Sequence, residues 1–190
     1  MTDTTSNLGE ALAYEDYLPV SWSLPDREPD SILFSGLNDN NVEVLQNILT
    51  LEKHYSDHLD EDADRDAGDL ALIDFKLNLL LDMIVQVYSK ELDIPPESSI
   101  SLRSYQLQWH STQRQNQDDY LLVDLYLSKR IPRPITLYGR VSGVDVLEQN
   151  SYRINLDLEQ LSPAFLDLLE RFIFLKHRRM VASARREHIE

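Results

Sequence analysis

Cysteine is absent from the 190 residues, so disulfides, thiolate nucleophiles and cysteine-ligated zinc are excluded. Glycine is scarce, at five, and no glycine-rich loop offers backbone amides to cradle a phosphate. Long uncharged apolar runs are missing too. The longest apolar stretch, Leu70 to Tyr88, carries Asp74, Lys76 and Asp82, which argues against a membrane span. The opening MTDTTSNLGE has neither a basic n-region nor an apolar h-region, so no signal peptide is expected and the sequence predicts a cytoplasmic protein. No G-x-S-x-G, no H-E-x-x-H and no set-off pair of acids occurs, and an enzyme is not expected. Bases are short in the first half. Residues 1–98 hold 22 acids and 5 bases, against 11 acids and 13 bases in residues 99–190, for a formal charge of −15 overall. That balance repels phosphate backbones, so nucleic acid is not an expected partner.

What is present is a helix with more apolar surface than one neighbour can cover. Leu70, Ile73, Leu77, Leu80, Ile84 and Val87 recur at three- and four-residue steps, the seam of a coiled coil. Leu72, Leu79, Leu81, Met83, Val85 and Tyr88 load its flanks, so it must be covered on several sides. An earlier helix is predicted from Asn38 or Asp39 to Leu59, seamed by Val44, Ile48, Leu51 and Tyr55. The stretch DEDADRDAGD at 60–69, with Gly68, reads as the connection of an antiparallel helical hairpin over 38–91. Pro95 and Pro96 close it. The residues expected at a subunit interface are Ile48, Leu51, Tyr55, Ile73, Leu77, Leu80, Ile84 and Val87. A hairpin seamed on more than one side favours a tetramer over a dimer.

Elsewhere the period is two. Residues 1–16 read as a flexible tail. Leu18, Val20, Trp22 and Leu24 alternate in a short strand, with Pro19 suggesting an edge. Leu102, Tyr105, Leu107 and Trp109 read as one strand with an irregularity near Ser104. Leu121 to Leu127 alternates cleanly, and Ile135 to Gly143 follows with glycines that imply bending or close backbone approach. Glu148 to Ser151 is a turn before Tyr152 to Leu158. Ser162 and Pro163 are an N-cap and a first helical residue for a terminal helix over 162–188. The predicted fold is α+β: a small antiparallel barrel, an inserted helical hairpin and a C-terminal helix, with 17–190 as one domain.

This order of elements, with YLPVSW within Tyr17–Leu24, SLRSYQLQWH at 101–110 and RFIFLKHRR within Arg171–Arg186, resembles the atypical, tetramer-forming branch of the PilZ domain family. The resemblance implies a six-stranded β-barrel, a hairpin that builds an oligomeric coiled coil, and a non-catalytic role in bacterial cyclic di-GMP signalling. Ordinary PilZ domains hold the nucleotide with R-x-x-x-R ahead of the first strand and [D/N]-x-S-x-x-G on a later one. Here no two arginines stand four apart and none precedes Trp22. At the second motif Ser101, Arg103 and Gln106 replace the acid or amide, the serine and the glycine. Arginine stacks on guanine and pairs with phosphate in ways other residues reproduce poorly. No cofactor is therefore expected, and cyclic di-GMP is not favoured.

The remaining candidates each have a plain reading. Arg130, Arg133 and Arg140, with Arg153, could form an anion-facing barrel surface, but solvent-facing arginines paired with Asp118, Asp119, Asp124 and Asp157 are preferred. His54 and His58 stand four apart, a zinc spacing without a third ligand. Asp62 to Gly68 misses the sixth-position glycine and twelfth-position glutamate of a calcium loop, so no metal is expected. The basic end at Arg178–Arg186 reads as a solvated helix terminus. Trp109 reads as core. The expected partners are copies of the chain and unidentified signalling proteins.

Overall fold

The computed structural model describes residues 12–25, 29–57, 73, 76, 77, 79, 80, 83, 84, 93–148 and 150–187. Six strands form in chain order: β1 (Tyr14–Ser23), β2 (Glu97–Arg103), β3 (Gln106–Ser111), β4 (Tyr120–Leu125), β5 (Ile135–Glu148) and β6 (Ser151–Leu158). They close into an antiparallel barrel in the order β1-β2-β3-β6-β5-β4. Helix α1 (Ser31–Asp57) precedes β2, and helix α3 (Pro163–Glu187) ends the chain. Between them a second helix, α2, is described at residues 73, 76, 77, 79, 80, 83 and 84.

Period-two alternation puts Leu121, Val123, Leu125, Ile135, Leu137, Val141, Ile154 and Leu156 inside the barrel, all fully buried. Trp109 fills the same core at 1% exposure. Phe165, Leu169, Phe172 and Ile173 of α3 join that core, as do Val44, Leu45, Ile48 and Leu49 of α1. Helix α1 lies on α3 and β5, and α3 also touches β1 and β2.

Several expectations are corrected. β1 begins at Tyr14, inside the expected tail. It lies between β2 and β4 in the closed barrel, Tyr14–Pro19 pairing with β2 and Val20–Ser23 with β4. Pro19 stands where the partner changes, and its carbonyl accepts from Tyr126 N at 3.1 Å; a residue without an N–H fits that junction. The single strand expected around Leu102–Trp109 is two strands, turning at Ser104-Tyr105 and paired Arg103 to Gln106. The turn has no glycine, asparagine or aspartate, the residues by which such turns are usually read.

Helix α1 starts at Ser31, not at Asn38 or Asp39. Asp30 Oδ1 accepts from Leu33 N at 2.8 Å, an N-cap hydrogen bond. Asn38 lies inside the helix and its amide reaches the start of α3. Nδ2 donates to Phe34 O at 2.8 Å and Gln160 O at 2.9 Å, and Oδ1 accepts from Ser162 N at 2.7 Å. Ser162 Oγ in turn accepts from Phe165 N at 3.2 Å, capping α3. Asn41 docks the same helix onto β5 through the backbone of Thr136. The acidic segment 60–69 and the end of the hairpin after residue 84 lie outside the described residues.

The glycines of β5 serve two ends. Register shifts fall between Val141 and Gly143 and between Val146 and Glu148, where bulges bend the strand. At Gly139 the backbone of β6 comes too close for a side chain. The β5–β6 turn places Asn150 at φ 61°, a left-handed conformation asparagine tolerates.

Candidate functional site

Two features could carry function: the face of α2 and the outer surface of the barrel. On α2, Ile73, Leu77, Leu80 and Ile84 follow one helical stripe and are 52 to 60% exposed, with Leu79 and Met83 similarly open beside them. Among the described residues of α2 this exposed apolar stripe is the candidate interaction surface. Of the other residues expected at the interface, Ile48 is buried in the protomer at 2% exposure, because α1 lies on the barrel and α3. Leu51 is half-buried, Tyr55 falls on α1, and Val87 lies outside the described residues.

The three candidate arginines do not form a cradle. Arg133 Nη1 donates to Glu43 Oε1 at 2.8 Å and its Nη2 to Asn40 Oδ1 at 2.7 Å, tying the β4–β5 loop to α1. Glu43 is held below its usual carboxylate range, first by that hydrogen bond and then by the charge of Arg133. Arg140, on β5, pairs with Asp118 at 2.6 Å and stands 3.9 Å from Glu159. Arg130 is exposed on the β4–β5 loop. Sequence could not show that Glu43 lies against Arg133, 90 positions away. Arg179 corrects the solvated-terminus reading by pairing with Glu52 of α1 at 2.7 Å, and Lys176, just before the basic end, pairs with the same carboxylate at 2.6 Å.

The position of the ordinary second nucleotide motif falls on β2, its turn and β3. A concavity of about 560 Å³ there is lined by Tyr17, Ser101, Gln108, His110 and Arg153, with Glu15 and Asp16 at its side. Two basic side chains face two acidic ones, so the surface has no excess of positive charge for phosphates. Gln108 donates to Asn155, which donates to Asp145 at 3.5 Å. Ser142 donates to Asp157 at 2.8 Å. Of the lining residues Gln108 is thus satisfied by the neighbouring strand β6. Arg130, Arg133 and Arg140 line neither this concavity nor the two beside the start of α1.

Tyr14, packed edge-on against Phe172 with centroids 5.3 Å apart, donates its phenolic hydrogen to Asp16. Burial, then that hydrogen bond, then the charges of Asp16 and Glu52 push its pKa far above the usual tyrosine value. In the unfolded chain this phenol ionises near pH 10 or so. Above that pH the folded state holds the proton that the unfolded state has lost, so stability falls as pH rises. The slope from this one group grows from about −0.7 kcal/mol per pH unit at pH 10 towards about −1.4 above pH 11. Tyr14→Phe should flatten it in urea titrations between about pH 10 and 11.

Among the described residues no group of three or more metal-ligating side chains occurs. No helix among them is long and apolar enough to cross a membrane. His54 falls on α1, while His58 and the Asp62–Gly68 segment lie outside the described residues.

Comparison with known proteins bears on this barrel and its helices. The profile of the family described as "Atypical PilZ domain, cyclic di-GMP receptor" matches residues 45–186. The chain belongs to the atypical PilZ domain family. The PilZ fold is also that of a solved pathogenic protein from Xanthomonas campestris, described as a tetrameric PilZ domain self-assembled through an unusual helical bundle. The TM-score is 0.70 at 20% identity, over 91% of each chain. No curated protein matches. The six-stranded PilZ barrel expected from the resemblance is the fold observed, its sixth strand coming from the hairpin at Ser104-Tyr105.

Proposed function

We propose that this PilZ domain is a non-catalytic adaptor of bacterial cyclic di-GMP signalling, assembling with copies of itself through its helical hairpin. The observation that carries this reading is the exposed stripe Ile73, Leu77, Leu80 and Ile84 on α2. Each such side chain contributes about 1.5–3 kcal/mol when fully covered, before entropy costs. The helical bundle of the Xanthomonas campestris protein supports assembly of the same kind here, with a tetramer favoured over a dimer. The missing R-x-x-x-R and [D/N]-x-S-x-x-G residues support an adaptor that does not take the nucleotide by the standard motifs.

The test is the triple variant Leu77→Lys, Leu80→Lys and Ile84→Lys. Light scattering should show the mass falling to the 22.1 kDa protomer, with far-UV circular dichroism confirming a folded barrel. A wild-type monomer, or an unchanged mass in the variant, overturns the interface. A second reading, a nucleotide receptor using Arg130, Arg133 and Arg140, draws on the family's description as a cyclic di-GMP receptor. It must break the pairs Arg133–Glu43 and Arg140–Asp118. Calorimetric titration with cyclic di-GMP is expected to give no binding heat. Micromolar binding lost in Arg133→Ala and Arg140→Ala overturns the adaptor-only reading.

A further inference from the structure

Helices α1 and α3 run side by side in the same direction and are tied to each other at two points. At the first, Asn38 donates to Gln160 O at 2.9 Å and accepts from Ser162 N at 2.7 Å. At the second, Glu52 Oε1 stands 2.6 Å from Lys176 Nζ and its Oε2 accepts from Arg179 Nη1 at 2.7 Å. Arg179 Nη2 also donates to Glu52 O at 3.2 Å, so one guanidinium holds both the side chain and the backbone. Glu52 follows Asn38 by the same interval as Lys176 follows Ser162, about 21 Å along each helix at 1.5 Å per residue. Two separated ties fix the direction of a rod, where one tie lets it swing.

The apolar hold on α1 ends before the second tie. Its buried residues are Asn41, Val44, Leu45, Ile48 and Leu49, and among its described residues none beyond Leu49 is buried. From there the helix runs on to Asp57, ahead of α2 and its exposed stripe. The ion pair Arg133–Glu43 lies near Asn41, where α1 is already held, and both of its side chains are exposed. Pairs of that kind contribute little. Glu52 differs. Its side chain is 16% exposed and that of Lys176 is 23% exposed. Lys176 Nζ lies 5.4 and 5.8 Å from the ring centroids of Phe172 and Tyr14, so rings and one carboxylate replace much of its water. Without that carboxylate, Lys176 and Arg179 would be left as like charges around a poorly hydrated site. Arg179 is the more open of the two and the better screened, so Lys176 carries the larger share.

We propose that Glu52 is a latch that fixes the direction in which the hairpin leaves the barrel, and so aims the apolar stripe of α2 for assembly. Knobs-into-holes packing needs both seams aligned. A hairpin that swings associates only in the fraction of molecules that are aimed. The inference rests on the assembly reading and adds the device that positions the surface.

The chain has no cysteine, so Lys76→Cys on α2 and Arg103→Cys on β2, both at exposed positions, take a specific pair of nitroxide labels. Labelled chain is co-assembled with an excess of unlabelled chain, and the distance distribution is read by double electron–electron resonance. The expected result is one narrow distance with Glu52 intact. It should broaden in Glu52→Gln and in Lys176→Met, and no further in the double variant, because both substitutions undo the same tie. Arg133→Gln should leave it narrow. The dissociation constant of the assembly, from sedimentation, should rise about tenfold in Glu52→Gln, as when about one-tenth of the molecules are aimed. Near-UV circular dichroism of Trp109 checks that the barrel is intact. Arg179→Gln, at the more open position, should broaden the distance to a smaller degree and replaces Lys176→Met if that variant does not fold. The latch is overturned if the distribution is broad with Glu52 intact, if Glu52→Gln stays narrow, if Arg133→Gln broadens it equally, or if the paired effects add. It is overturned too if the distance broadens while the dissociation constant holds. A chain that never assembles yet keeps a Glu52-dependent distance refutes the assembly reading alone. An assembled chain whose distance and mass ignore Glu52→Gln refutes the latch alone.

Discussion

Gly139→Ala should destabilise the barrel by about 3 kcal/mol or more, the upper range for forced overpacking. A Cβ at this position would stand 2.3 Å from the carbonyl oxygen of Asp157 and 3.0 Å from Leu156 Cγ. The first obstacle is backbone, so no rotamer change relieves it. Nor can β6 step aside. It is paired on one side with β5, Gly139 opposite Leu158 and Arg140 opposite Asp157, and on the other with β3. In a closed barrel a displaced strand disturbs both neighbours. For a chain of this length, about 3 kcal/mol lowers Tm by roughly 6–12 °C. Gly143→Ala is the control: there the nearest atom is Asn155 Nδ2 at 3.3 Å, the end of a side chain. It should cost less than about 1 kcal/mol by comparison. Thermal and urea unfolding of the two variants checks the difference. Equal effects would show that strand flexibility, not the close approach at Gly139, sets the cost.

Asn41→Leu should cost about 2–6 kcal/mol, from two part-buried backbone groups left unpaired at about 1–3 kcal/mol each. Asn41 is 3% exposed. Its Nδ2 donates to Thr136 O and its Oδ1 accepts from Thr136 N, both at 2.8 Å. β6 first reaches β5 at Gly139, so Thr136 lies beyond the ladder on that side. One amide side chain replaces the missing strand and anchors α1 to β5. Leucine matches the volume but supplies neither bond. Hydrogen exchange at the Thr136 amide should accelerate, together with a lower urea midpoint. An unaltered exchange rate at Thr136 would show that water or a neighbouring group replaces Asn41 at no cost.

Asn41 and Asn38 also show where sequence reading stops. Both sit among polar residues at the expected helix start, and asparagine is read there as a cap. Their amides instead bridge to residues 95 and 122 to 124 positions away. Helix α1 begins seven residues earlier than Asn38 because Asp30 caps it and Phe34 finds Tyr138. Gly36 interrupts that first stretch and Ile32 is left exposed, so its apolar residues do not announce a helix by themselves. The packed rings of Phe34, Tyr120 and Tyr138 come from α1, β4 and β5, and no spacing in the sequence joins them. The arginines follow the same logic: their type and number were legible, but the carboxylates beside them were placed by the fold.

By itself the sequence determined the strand alternation, the Ser162-Pro163 helix start, the absence of the ordinary nucleotide motifs and the apolar stripe of α2. These are local properties: side-chain period, capping chemistry and residue identity. Tertiary structure decided which apolar residues find cover within one chain. Ile48 and Leu77 both occupy seam positions, yet Ile48 is buried against the protomer's own core and Leu77 stays half open. Hydrophobic periodicity specifies that a face leaves water, because burial is non-directional. Which surface receives it depends on where the barrel and α3 stand.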